Sequence, residues 1–140
     1  MSGWDGYIHN LVQDGTTCQD AVIVGYKQFS VWGASQDGTL RNITAAEVAA
    51  IVAQDRSDMF VNGLTIAGQK CSLIRDNTDI LDNWIMDLRT KSRNGEPTSN
   101  IALGKSESAL VIVKGAPEIH GGILNTKCHN MTKYLRTMCM

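Results

Sequence analysis

Proline is scarce in this chain, two residues in 140, and no stretch rich in Pro, Gly or Ser divides it. With no linker signal, a single domain over residues 1–140 is expected. Long hydrophobic runs are missing as well. The longest, Val48 to Ala53, is six residues, against the roughly 20 that a membrane helix needs. The first residues lack a basic-then-apolar leader, so the chain is expected to stay in the cytoplasm where it is made. Neither sign of charge dominates: 13 Lys+Arg stand against 14 Asp+Glu, net charge -1. That balance excludes a surface built wholesale for nucleic acid. No two of Cys18, Cys71, Cys128 and Cys139 form a C-x-x-C pair, so neither a zinc site nor a redox dithiol is indicated. Cys71 and Cys128 lie in apolar patterns and read as small buried hydrophobes, Cys139 as the exposed thiol. Absent too are His-Glu-x-x-His, Gly-x-Ser-x-Gly and Gly-x-x-x-x-Gly-Lys. Nothing specific marks an enzyme, a catalytic residue, a metal or a cofactor.

What is present patterns an α+β domain. At 43% hydrophobic, a chain of this length can bury about 68–70% of its unfolded surface without staples. Trp4, Tyr7, Ile8, Leu11 and Val12 recur at helical spacing, with Ser2 available as a cap and Asp14-Gly15 as a stop. Thr44-Ala-Ala-Glu47 is a capping box opening a second helix. Leu124, Cys128, Met131, Leu135 and Met138 form the apolar stripe of a long final helix. Strands are predicted at Ala21–Gly25, Ser30–Ala34, Lys70–Arg75, Trp84–Thr90, Thr98–Leu103 and Leu110–Val113, the last apolar throughout and so central. Short connections favour antiparallel neighbours. The predicted architecture is a central antiparallel sheet with the terminal helices on one face and short helices on the other.

Three groups of residues remain after the core is assigned. Aromatic residues are few, eight in all, yet Trp4 and Tyr7 share one face of the opening helix whose apolar stripe Ile8, Leu11 and Val12 already supply. With Trp32, and with Tyr134 if the last helix lies alongside, they would line a groove suited to polyproline, whose ring faces stack on aromatics and whose carbonyls accept from indole N–H and phenol O–H. Against this stands ordinary core packing. Arg89, Lys91 and Arg93 fall on one side of a strand, as do Lys70, Ser72 and Ile74. A mixed face of this kind suits protein binding better than catalysis, although a charge run is commonly just a solvated face. Ile119-His-Gly-Gly122 reads as a bend rather than a phosphate loop.

Taken together, Gly3-Trp-x-x-Tyr7, Ala21-Val-Ile-Val-Gly-Tyr26, Val31-Trp32, Asn62-Gly-Leu-Thr65, Gln69-Lys-Cys-Ser72, Ile74-Arg-Asp76, Met86-Asp-Leu-Arg-Thr-Lys91, Pro97-Thr98 and His120-Gly-Gly122 resemble an animal profilin over the whole chain. The resemblance implies a cytosolic actin-monomer-binding protein of the cytoskeleton and cell cortex that eases nucleotide exchange on actin and delivers monomers to filament ends. It places a polyproline groove on Trp4, Tyr7, Asn10, Trp32, Tyr134, Leu135 and Met140. It places the actin surface on Phe60, Val61, Lys70, Ser72, Ile74, Arg75, Arg89, Lys91, Thr98, Asn100, Ile119, His120, Gly122, Asn125 and His129. Phosphoinositide binding through Arg89 and Arg136 is a further family trait. Departures from the family pattern are Tyr134 for a common histidine, Met140 for a terminal aromatic, and Thr126, His129 and Asn130 for a lysine, an aromatic and an acid frequent in vertebrate members. They imply proline binding that is retained but weaker or differently selective, and a weaker actin interface. The competing readings are a proline-peptide module without actin binding and a small hydrolase using Cys128 or Cys18 with His120.

Overall fold

The computed structural model describes residues 3–13, 17–92 and 94–140. Ser2, the Asp14-Gly15 stop and Arg93 lie outside them. In chain order the elements are α1 (Asp5–Val12), β1 (Cys18–Gly25), β2 (Ser30–Ala34), a 3-10 turn (Leu40–Asn42), α2 (Ala45–Ile51), α3 (Asp58–Asn62), β3 (Leu64–Ile66), β4 (Gln69–Asp76), β5 (Ile85–Thr90), β6 (Asn100–Lys105), β7 (Ala109–Gly115) and α4 (Gly121–Thr137). Thr44 caps α2 as its motif predicts. Its hydroxyl accepts from the Glu47 amide at 3.2 Å, and the Glu47 carboxylate accepts from the Thr44 amide at 2.9 Å. The same carboxylate also accepts from the Ala67 and Gly68 amides in the β3–β4 turn, so one cap ties α2 to the sheet.

Among the described residues, seven strands form one antiparallel sheet in the order β2-β1-β7-β6-β5-β4-β3. Strands β1 and β7 are buried on both faces, as the unbroken apolar run predicts. On one face Ile8 and Leu11 of α1 and Leu124, Cys128, Met131 and Leu135 of α4 pack on Ile23, Val111 and Val113. On the other, the 3-10 turn, α2 and α3 cover Val22, Leu103 and Ile112. Eight residues are too few for a stable isolated helix. Helix α1 is held by burying Ile8 and Leu11, each contributing about 1.5–3 kcal/mol.

Several expected boundaries shift for stated reasons. The fifth strand starts at Ile85 because Trp84 is left-handed, φ 60°, a conformation no strand residue adopts. Thr98 precedes β6 rather than opening it. Met138 does not extend the buried stripe; it caps α4 and is exposed. Beyond it, the Cys139 amide donates to the Arg136 carbonyl at 3.1 Å and the Met140 amide to the Leu135 carbonyl at 2.9 Å, with Cys139 at φ 60°. This is the Schellman closure that usually employs glycine. A left-handed non-glycine residue costs about 1–2 kcal/mol, partly offset by glycine's larger unfolded-state entropy. Cys139→Gly is therefore expected to raise stability by about 0.5 kcal/mol, read as a higher urea midpoint with unchanged slope.

Candidate functional site

Four aromatic rings lie in one row across α1. Trp32 and Trp4 are 4.8 Å apart between centroids, Trp4 and Tyr7 5.0 Å, and Tyr7 and Tyr134 5.8 Å, all tilted. Two glycines make room for the indoles. A Cβ on Gly25 of β1 would come within 2.7 Å of Trp32 Nε1, and one on Gly33 of β2 within 3.0 Å of Trp4 Cβ. The row is half open: Trp4, Tyr7 and Trp32 are partly buried and Tyr134 is 47% exposed. This arrangement presents ring faces and edges to solvent instead of completing a core.

Trp32 Nε1 donates to Ser30 Oγ at 3.1 Å. Hydrogen bonding to the Tyr134 phenol, then burial, pushes the Tyr7 hydroxyl above its ordinary pKa, so Tyr7 stays neutral and able to donate. Asn10, one turn beyond Tyr7, lines a cleft of about 540 Å³ between α1 and α4 together with Tyr7, Met131 and Tyr134. Leu135 is corrected: it is wholly buried and packs beneath the row, where no ligand reaches it. Met140 is half-buried against the same cluster.

The second group gathers on the other end of α4 and the neighbouring strands. In β4 the register shifts between Leu73 and Arg75. This bulge turns Ile74 and Arg75 both outward, where simple alternation would hide one of them. Ile74, Arg75, Arg89, Asn100, His120 and Asn125 line one cleft of about 510 Å³. Asp87, which sequence reasoning passed over, organises it. Its carboxylate accepts from Arg75 Nε at 3.0 Å and Nη2 at 2.8 Å, and from Asn125 Nδ2 at 2.8 Å. The signal was the one acid inside Met86-Asp-Leu-Arg-Thr-Lys91. Arg89 donates to Asn100 Oδ1, whose amide donates to the Ile119 carbonyl. His120 accepts from the Gly122 amide at 3.1 Å and so caps α4.

The remaining expected residues fall into place less uniformly. Phe60 and Val61 project from α3, Val61 83% exposed. Lys70 and Ser72 are exposed on β4, and Lys91 follows β5. A Cβ on Gly63 would lie 3.1 Å from Lys91 Nζ, which places that cation at the end of α3. Thr98 is half-buried. His129 is drawn aside: its ring stacks on Trp84 at 6.1 Å and its Nε2 sits 3.0 Å from the Asp82 carbonyl. Arg136 is not a free cation. Its guanidinium lies 4.2 Å over the Trp84 ring and donates to the Lys105 carbonyl at 3.0 and 2.6 Å. Arg89 alone of the two phosphoinositide candidates is exposed.

The thiols do not assemble a nucleophile. Cys18 and Cys128 are buried, and burial pushes Cys18 up to about 11 and Cys128 further up, the reverse of an activated cysteine. Among the described residues, no group of three His, Cys, Asp or Glu is placed to hold a metal, and no helix is long and apolar enough to cross a membrane.

Comparison with known proteins points to one family. A family model described as Profilin matches residues 2–140. Profilin-1 of Homo sapiens is 52% identical over 137 residues, 97% of each chain. Mouse profilin IIa, solved in complex with a double repeat from the FH1 domain of mDia1, superposes with a TM-score of 0.95 at 46% identity, covering 99% of this chain and 100% of that one. The LokiProfilin1/rabbit actin complex shares the fold at a TM-score of 0.62 and 11% identity, over 95% of this chain and 93% of that one.

Proposed function

This chain belongs to the profilin family, and from that premise we propose that it is a non-enzymatic carrier of monomeric actin that also docks proline-rich proteins. The observation that carries the reading is the separation of two differently built surfaces on one scaffold. Tyr134 of the aromatic row and Gly122 of the polar face stand twelve residues apart on α4, roughly 18 Å at 1.5 Å per residue. Both ligands can be held at once. A proline-rich elongation factor on the aromatic row then brings actin to its target by effective concentration, without a new contact.

On the actin side, Phe60, Val61 and Ile74 supply dry contact while Lys70, Arg89 and Lys91 complement an acidic partner and speed encounter. Arg75 contributes less charge, because Asp87 already neutralises it. Easing nucleotide exchange on the bound actin, by favouring its more open conformation, and acting in the cytoplasm and at the cell cortex complete the proposal. Phosphoinositide binding rests on Arg89 with the neighbouring lysines, since Arg136 is engaged with Trp84 and Lys105.

The test is gel filtration with monomeric actin. The wild-type chain is expected to shift the actin peak; no shift leaves a proline-peptide module that has lost its actin partner. Arg89→Glu is expected to weaken the actin complex about tenfold, the scale of one reversed interface charge, while the fluorescence titration with a proline decamer is unchanged. Equal damage to both would mean that the substitution disturbs the fold instead.

A further inference from the structure

Ser106 sits in the turn between β6 and β7, polar yet wholly buried. Its hydroxyl lies 2.9 Å from the Met140 carbonyl oxygen and 3.1 Å from the Ala109 amide nitrogen. A serine hydroxyl has one proton and two carbonyls lie in its reach, Met140 at 2.9 Å and Ala109 at 3.1 Å; donating to the nearer, Met140, while accepting from the Ala109 amide occupies it in both directions. The Ser108 amide donates to the same Met140 carbonyl at 2.6 Å, and the Met140 amide donates to the Leu135 carbonyl at 2.9 Å. Met140 is therefore held at both its amide and its carbonyl.

The turn that holds Met140 is also tied to the floor of the aromatic row. Ala109 pairs with Gly25, the residue over which the Trp32 indole lies. The Tyr26 amide donates to the Ser108 carbonyl at 3.0 Å, and the Tyr26 hydroxyl reaches the same turn, 2.6 Å from the Glu107 carbonyl and 2.9 Å from that of Ser106. Met140 is partly buried and packs, as Trp4, Tyr7 and Trp32 do, against the buried cluster that contains Ile8, Leu11 and Leu135. A segment just beyond a helix end frays without such ties, and a frayed methionine must be ordered again each time a ligand needs it.

We propose that Ser106 is a positioning residue for proline-ligand binding, holding Met140 so that its thioether closes the aromatic row at the β1/β7 end. The proposal rests on the proline-groove reading. It places a determinant of affinity in a buried turn that no ligand touches.

The experiment titrates a proline decamer, by tryptophan fluorescence, into the wild-type chain, Ser106→Ala, Met140→Gly and the double variant. Met140→Gly keeps the backbone clasp and removes only the side chain. Ser106→Ala is expected to weaken binding roughly 3–10-fold, the yield of one positioned hydrogen bond. Amide exchange should speed up at Met140 and stay unchanged in α1. In the Met140→Gly background Ser106→Ala should have no further effect, because there is no side chain left to position. A general structural role would persist in that background, and its persistence overturns the proposal, as does undiminished affinity in Ser106→Ala. If Ser106→Ala does not fold, an affinity of Met140→Gly equal to wild type overturns it alone. Failure of the wild-type chain to respond at millimolar decamer sinks the groove reading itself, a result distinct from any of these.

Discussion

Trp4→Ala is expected to weaken proline-decamer binding about 30- to 700-fold. Trp4 is the middle of the row, 4.8 Å from Trp32 and 5.0 Å from Tyr7. Its loss removes one stacking surface and leaves the two neighbours without the ring that sets their spacing. A central aromatic anchor of this kind commonly carries about 2–4 kcal/mol of binding, and 1.4 kcal/mol is a factor of ten. Fold loss is not expected to contribute much, since Trp4 precedes α1 and is only half-buried, while Ile8 and Leu11 still fasten the helix. Calorimetric titration checks the affinity, and gel filtration with actin checks that the other surface is intact. A loss under about threefold would show that the decamer binds elsewhere.

Arg56→Ala is expected to cost about 3 kcal/mol of stability, roughly 10 °C in Tm for a chain of this size. Arg56 donates to Asp76 Oδ2 at 2.8 Å, to the Ala53 carbonyl at 2.7 Å, to Thr78 Oγ1 at 2.9 Å and to Asp79 Oδ2 at 2.7 Å. It thereby joins the segment before α3 to the β4–β5 loop. Both side chains of the Arg56–Asp76 pair are 9% exposed, so water screens the pair poorly and the variant leaves a carboxylate buried without its partner. The Arg75–Asp87 pair has similar geometry, but with Arg75 61% exposed it should contribute under about 1 kcal/mol.

The pH dependence carries a definite sign. Burial disfavours the charged form of Asp76, yet hydrogen bonds from Arg56 and Thr78 outweigh it and hold the carboxyl below its ordinary range. A depressed folded-state pKa contributes stability above the unfolded value, about pH 4, and loses it as pH falls through the folded one. The gap between wild type and Arg56→Ala should therefore be full at neutral pH and narrow below about pH 4. A gap that stays constant to pH 2 would refute the role given to Asp76.

Elements with a strong local code were legible beforehand. The Thr44 capping box, the Ile8/Leu11 stripe and the Leu110-Val-Ile-Val113 run each state their structure within a few residues, and all three appear. The 3-10 turn at Leu40–Asn42, helix α3 and strand β3 span only three to five residues, too few for a periodicity to emerge. The outward turn of Arg75 depends on a bulge defined by pairing with β5, and pairing is not a local property. At the candidate site, the aromatic residues were visible as a concentration of a scarce residue type. That Leu135 lies under the row rather than in it depends on the rotation of α4 against the sheet. Asp87 was hidden for another reason: its importance lies in what it grips, and both partners come from other elements.

Helix α4 carries Asn125 for one surface and Tyr134 for the other on a single uninterrupted coil. Adding or deleting one residue between them would rotate everything beyond by about 100°, swinging the phenol off its neighbours and Leu135 out of the interior. The length of that stretch is thus frozen by geometry, and drift in this lineage can retune either ligand only by exchanging side chains in place.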